Sequence, residues 1–246
     1  MADLKRLILM IQFLTRLPIK VNLDVDEKDF KKGSKYFSLV GLILGLLYYA
    51  LGNILNILTT NYMIISLVIL IFSVIITGGI HLDGIADTFD GLYSYRDKDR
   101  ILEIMKDSRV GTNGVLVLIF DILIKFILIY SIIQVTDMKF LILMPVFGRL
   151  SIALAARFSR YARNNGMGAF FIGSTSNLDI FINFAILIFA VFISAMYLPE
   201  LLILLFIPFI YISHCKKYID GMTGDTLGAL CEITEIIYLL IVAIRW

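Results

Sequence analysis

Cysteine and proline are both scarce in this chain, which has two of the first and four of the second. Cys215 and Cys231 have no second pair beside them, so they form neither a disulfide framework nor a metal-ligand spacing, and packing is their expected role. Charge is thin as well. Asp, Glu, Lys and Arg make up 17% of the residues, against about 25% in soluble domains. The net charge is only +2 and the basic residues are dispersed, which excludes a nucleic-acid partner. A small-residue cleavage site is missing from the amino end, MADLKRLILMIQFLTRLPIK, where Arg16 and Lys20 follow a short apolar run; no cleaved signal peptide is expected.

Apolar residues are what the chain has in abundance. They fill 59% of 246 positions, where soluble domains carry about 45–50%. A globular chain of this length needs more polar surface than that. The expectation is an all-α polytopic helix bundle, one integral domain over 1–246 set in a lipid bilayer. Judged by the roughly 20 apolar residues needed to cross hydrocarbon, spans are expected near 37–58, 62–80, 112–135, 139–157, 178–198, 200–214 and 225–245. Seven is the working count. The sixth is short and holds Pro208, which makes a tilted or re-entrant segment its rival. Before the first span, Leu4, Leu7, Ile8, Ile11 and Leu14 recur at spacings of three and four, as in an amphipathic helix on the membrane surface, so 1–36 is expected to be interfacial. Asn22 to Lys35 reads as a solvated connector.

Basic residues set the orientation, because Lys and Arg of short loops stay on the cytoplasmic side. With the amino terminus inside, 18 of the 22 Lys and Arg fall in cytoplasmic segments. Only Lys139 and Arg245 remain outside, and Lys125 and Arg149 lie within spans. All polar loops of interest then face the cytoplasm of a prokaryotic cell membrane.

The most informative stretch is GGIHLDGIADTFDGL, residues 78–92. Asp83, Asp87 and Asp90 fall within roughly 60° of one another on a helix. Like charges about 4 Å apart repel by roughly 4 kcal/mol at an effective dielectric near 20. A divalent cation between them relieves this, and Mg²⁺ is typically held by a few carboxylates plus substrate phosphates. The competing reading is a solvated helix end whose acids pair with Arg96 or Lys98. His81, beside them, is a candidate general base or a hydrogen-bonding support. The run 96–114 reads as a surface helix with ordinary ion pairs, followed by Ser108, Arg109, Gly111, Thr112 and Gly114, which suit an anion at a helix amino end. Residues 81–111 thus form the candidate catalytic loop. In RFSRYARNNGMG, 157–168, Arg157, Arg160 and Arg163 suit either phosphate oxygens or anionic lipid. In the last span Asp225, Glu232 and Glu235 share a face; they complete the site or pair with a buried base such as Arg149. Asp121 and Lys125, four apart, read as a self-neutralising structural pair.

Taken together, FLTRLPI at 13–19, GGIHLDGIADTFDGL, IMKDSRVGTNG at 104–114, YARNNGMG at 161–168 and GMTGDTLGA at 221–229 resemble the cobalamin synthase family. The resemblance implies a membrane transferase that joins adenosylcobinamide-GDP to α-ribazole or its 5′-phosphate, releasing GMP, with Mg²⁺ as cofactor. It implies metal binding by Asp83, Asp87 and Asp90, a proton acceptor among Asp87, Asp90 and His81, and substrate or phosphate contacts from Arg16, Lys106, Arg109, Arg149, Arg163 and Asp225. An oligomer is compatible with all of this. The pattern departs at Asp220–Gly221, where the family has two glycines. Two rivals remain: a CDP-alcohol phosphotransferase, against which Ala86–Asp87 stands where that class has Ala-Arg, and a cation transporter using Asp225, Glu232 and Glu235.

Overall fold

The computed structural model describes residues 2–196 and 199–246. The far end of the expected 178–198 span therefore lies partly outside the described residues. The order is α1 (Ala2–Leu14), α2 (Glu27–Lys31), α3 (Phe37–Leu58), α4 (Tyr62–Thr77), α5 (Ile80–Leu92), α6 (Lys98–Ile104), α7 (Thr112–Ile133), α8 (Phe140–Phe158), α9 (Asn177–Ser194), α10 (Ile207–Ile219) and α11 (Gly224–Arg245). Short 3₁₀ turns cover Ser34–Tyr36, Met167–Phe170 and Pro199–Leu205. Among the described residues the only β-pairing is a single bridge, Tyr161 with Met222.

Six stretches are long and apolar enough to cross a membrane, and α4 with α5 makes a seventh if that bent pair is one crossing. Helix α8 is the centre of the bundle: every residue from Phe140 to Ala156 is buried, with α3, α9 and α11 around it. Lipid-facing helices show the opposite pattern, with Ile119, Phe120, Leu123 and Ile127 of α7 exposed, because apolar side chains cost nothing in hydrocarbon. Gly41 and Gly45, one turn apart on α3, lie against the backbone of α8 at Pro145 and Ile142, the small-residue contact by which membrane helices pack closely. The sixth expected span is longer than 200–214. A 3₁₀ turn runs into α10 and the whole stretch covers Pro199–Ile219. Pro208 sits in the first turn of α10, where its missing N–H would be unpaired anyway.

The amino-terminal region differs from expectation. Of the apolar stripe of α1, Ile11 and Leu14 are buried, Leu7 and Ile8 half-buried and Leu4 exposed, while Leu9 and Met10, off the stripe, are buried as well. The connector after it is ordered: Asp26 caps α2 in a reciprocal capping box with Asp29, and Asp29 takes Lys5 at 2.6 Å and Arg6 at 3.1 Å. Within the run 96–114 the surface helix covers only Lys98–Ile104, and α7 begins at Thr112.

Helix α4 is 16 residues long, about 24 Å at 1.5 Å per residue. Gly78 and Gly79 follow at φ 64° and 67°, a left-handed pair that a side chain would strain. The chain turns by 86° there, and α5 lies across the end of the bundle instead of continuing through it.

Candidate active site at the crossing of α5 and α11

Helix α5 rests on α11 at a point where neither has a side chain. A Cβ on Gly84 would stand 2.8 Å from the Asp225 carbonyl oxygen and 3.3 Å from Gly228 Cα. This close crossing puts Asp83 and Asp87 on the flank of Asp225. A second element reaches the same point: Met222 donates to the Arg160 carbonyl (2.8 Å) and Ala162 donates to the Met222 carbonyl (2.9 Å). Arg163 is thereby carried to Asp225, at 2.8 Å. The start of α11 is fixed by Thr223, whose side chain caps the helix by accepting from Thr226 N, so the partial positive charge of a helix amino end faces the acids. Asp220, at φ 59°, ends α10 in the left-handed conformation and pairs with Lys98 at 2.9 Å. Asp tolerates that conformation better than most residues.

The electrostatics of the cluster are unbalanced. Asp83 is exposed and Asp87 half-buried. Burial, followed by the charges of Asp83 and Asp225, pushes the Asp87 carboxyl up to about 7, and Arg163 only partly offsets this. Arg163 also keeps a buried Nε with no hydrogen-bond partner among the described residues. Beneath these groups lies a cavity of about 170 Å³ lined by Asp83, His81 and Asp225 on one side and by Phe13, Phe37, Met167 and Phe171 on the other. Such a pocket joins an aromatic floor to a charged mouth, the arrangement expected for an amphiphilic ligand bearing phosphate.

The other expected site residues are distributed elsewhere. Asp90 takes both Gly111 N (2.6 Å) and Gly114 N (2.8 Å). Its carboxylate is therefore the anion at the amino end of α7, a role that its spacing from Asp83 and Asp87 does not disclose. Arg109 is exposed and pairs with Asp107 at 2.6 Å, which holds the Asp107 carboxyl down at about 2; Lys106 is exposed as well. Arg16 is exposed with its side chain over Gly78, and its N–H donates to the Ile76 carbonyl at 2.6 Å, so it fastens the turn before α5. Arg149 is 2% exposed and bonded to Glu235. Its Nη2 lies 3.4 Å from His81 Nδ1. A guanidinium can only donate, so Nδ1 is the acceptor and a neutral ring carries its proton on Nε2.

Arg149 belongs to a separate buried network. Lys125 bonds Glu232 and lies 3.2 Å from Glu235 and 3.5 Å from Asp121. The Asp121–Lys125 pair thus extends to three acids on two helices, and Glu232 and Glu235 take the buried-base alternative rather than joining Asp225. Among the described residues no group of three or more His, Cys, Asp or Glu is arranged to hold a metal ion. The Asp83–Asp87–Asp90 face does not close on one point, because Asp90 is drawn to α7. What sequence reasoning missed is the aromatic floor: Phe13, Phe37 and Phe171 come from distant segments, and no local pattern distinguishes them from core.

The model of one protein family, described as cobalamin-5-phosphate synthase, matches residues 6–243. The chain belongs to this family. It is also similar to proteins named adenosylcobinamide-GDP ribazoletransferase. The one from Alkaliphilus metalliredigens is 45% identical over 98% of this chain and 95% of its own. Those from Clostridioides difficile and Thermoanaerobacter pseudethanolicus are 42% and 39% identical, the first over 96% of both chains and the second over 98% of this chain and 97% of its own. No solved structure matches. The aspartate run of α5 and the Thr223–Asp225 element at the start of α11 are the two segments that meet at the α5–α11 crossing.

Proposed function

We propose that this chain is an adenosylcobinamide-GDP ribazoletransferase acting at the α5–α11 crossing, with α-ribazole or its 5′-phosphate as acceptor and GMP as leaving group. The observation that carries the reading is the meeting of Asp83, Asp87, Arg163 and Asp225, of which Asp83 and Asp225 line an aromatic-floored cavity, in a chain whose relatives bear that name. In the reaction a ribazole hydroxyl oxygen attacks the phosphoryl group that carries cobinamide. A new phosphodiester P–O bond forms, the bond to the GMP phosphate breaks, and the hydroxyl proton passes to a base. Such chemistry needs positioning and charge neutralisation more than covalent help. Arg163, with a free Nε, would hold a diphosphate oxygen. Asp90 is engaged with α7 and His81 Nδ1 faces Arg149, which leaves Asp87 as the proton acceptor the geometry supports best. The aromatic floor suits the planar base of ribazole, while the larger corrinoid would lie over the open rim.

Mg²⁺ fits the donor set, since it commonly takes one or two carboxylates plus substrate phosphates. Asp83 and Asp87 would hold it, with Asp225 beside them, and when bound it would supply positive charge to the diphosphate. The concentration of Lys and Arg on this side supports a cytoplasmic face of a prokaryotic cell membrane; a cysteine placed at Ser94 would report it by labelling from that side only. The decisive experiment is GMP release in detergent from adenosylcobinamide-GDP with each acceptor. Asp83→Asn and Asp87→Asn are expected to abolish Mg²⁺-dependent release while membrane insertion is unchanged. Wild-type rates in both variants would remove these aspartates from the mechanism.

A further inference from the structure

Helix α2 has two sides with different chemistry. Phe30 turns inward, stacking on Phe170 at 5.2 Å and meeting Phe13 edge-on at 6.0 Å. Phe13 and Phe171 in turn line the cavity beneath Asp83 and Asp225. The lysines of the same segment turn the other way, into a second cavity of about 540 Å³ between α1, α2 and the amino end of α9. Arg6, Lys28, Lys31, Lys32 and Lys35 line it, with Ser174 and Ser176 opposite and only Asp3 and Asp179 as acids. Both acids are already committed. Asp3 takes Lys35 at 2.7 Å, and Asp179 accepts from the N–H and the hydroxyl of Ser176, each at 2.7 Å. Arg6 shares its charge with Asp29 and Lys31 with Glu27. Lys28 and Lys32 are exposed and have no acidic partner among the described residues. Arg6, Lys31 and Lys35 are thus matched by acids, and Lys28 and Lys32 leave this concave surface with an unmet positive charge, on the side of α2 away from Phe30.

We infer that this second cavity binds a phosphate-bearing anion, held by Lys28 and Lys32 at the rim. Clustered lysines around a concavity, unlike a flat basic strip, concentrate the field on one ligand. Two sources supply that chemistry: the phosphodiester headgroup of an anionic lipid, reached from the bilayer edge beside α1, and a soluble phosphate compound.

The test uses the full chain in nanodiscs. In one arm phosphatidylglycerol replaces part of a phosphatidylcholine bilayer; in the other, inorganic pyrophosphate is titrated onto phosphatidylcholine discs; thermal melting is read in both. A rise in melting midpoint is expected in one arm at least, and the arm identifies the source. Lys28→Gln with Lys32→Gln should weaken the apparent affinity at least about tenfold, given roughly 1 kcal/mol for each lysine near an anionic surface. Arginine at both positions should restore it, and Lys216→Gln with Lys217→Gln should leave it intact. The inference is overturned if neither arm raises the midpoint, if the Lys28/Lys32 variant keeps the full rise, or if the Lys216/Lys217 variant loses as much. Pyrophosphate binding at the α5–α11 crossing alone gives the second of these results, so the two sites are told apart.

Discussion

Helix α11 carries acids in two settings. Asp225 lies in its first turn at the rim, and Glu232 and Glu235 lie deeper, the nearer one about 10 Å along the axis at 1.5 Å per residue. Each deep acid has a cation bonded to it, Lys125 for Glu232 and both Lys125 and Arg149 for Glu235. At the rim three acids, Asp83, Asp87 and Asp225, share one arginine. Buried ions that lack partners are costly, and the deep set holds Asp121, Glu232 and Glu235 against Lys125 and Arg149, a nearer match of charge that marks it as structural. Rim charges reach solvent, Asp83 being exposed and Asp87 and Asp225 half-buried, and can remain unmatched until a ligand arrives. Carboxylates in a span are functional candidates by default; here the balance of charge around them, and not depth, separates site from scaffold.

Removing a cation from the closed network should have the largest effect. Lys125→Met strands Glu232 and Asp121, while Glu235 keeps Arg149, at a cost of roughly 3–5 kcal/mol, and should lower the melting midpoint and yield in detergent sharply; adding Glu232→Gln should recover part of the loss. A Lys125→Met protein as stable as wild type would mean that the deep charges are not what ties α7 to α11. Arg163→Gln tests the open set. It should cut kcat/KM for GMP release by about a hundredfold, or about 2.7 kcal/mol, as when one transition-state donor is lost, with little change in melting; an equal loss of stability would make Arg163 scaffold instead. The smallest effect is expected from Asp90, which sits on the site helix but serves α7. Asp90→Ala should cost about 1 kcal/mol, as for loss of a helix cap, and Asp90→Asn, which keeps a carbonyl acceptor, should retain far more activity than Asp83→Asn. Equal inactivation by Asp83→Asn and Asp90→Asn would return Asp90 to the reacting groups.

The aspartate run shows how far local spacing reaches. A period of four and three puts Asp83, Asp87 and Asp90 on one helix face, and they do lie on one helix, α5. Whether side chains on a face share a ligand depends on what packs there, and Gly111 and Gly114, some 20 residues on, claim Asp90. The alternatives for Glu232 and Glu235 were likewise open in one dimension, because a basic partner on another helix has no fixed sequence distance. The amino-terminal helix was amphipathic as read, but the stripe says only that one side avoids water. Its burial against α2 and α3 follows from the shape of the bundle.

By itself, the sequence determined that this chain is a bundle of membrane helices, because apolar length against bilayer thickness is a local quantity, and it determined the family through motifs kept in order along the chain. Tertiary structure decided the rest. Two left-handed glycines turn α5 across the bundle end, Gly84 against α11 brings Asp83 and Asp87 to Asp225, and a bridge at Met222 delivers Arg163. Those are contacts between segments distant in sequence, and their energies depend on three-dimensional proximity and desolvation, which residue spacing does not encode.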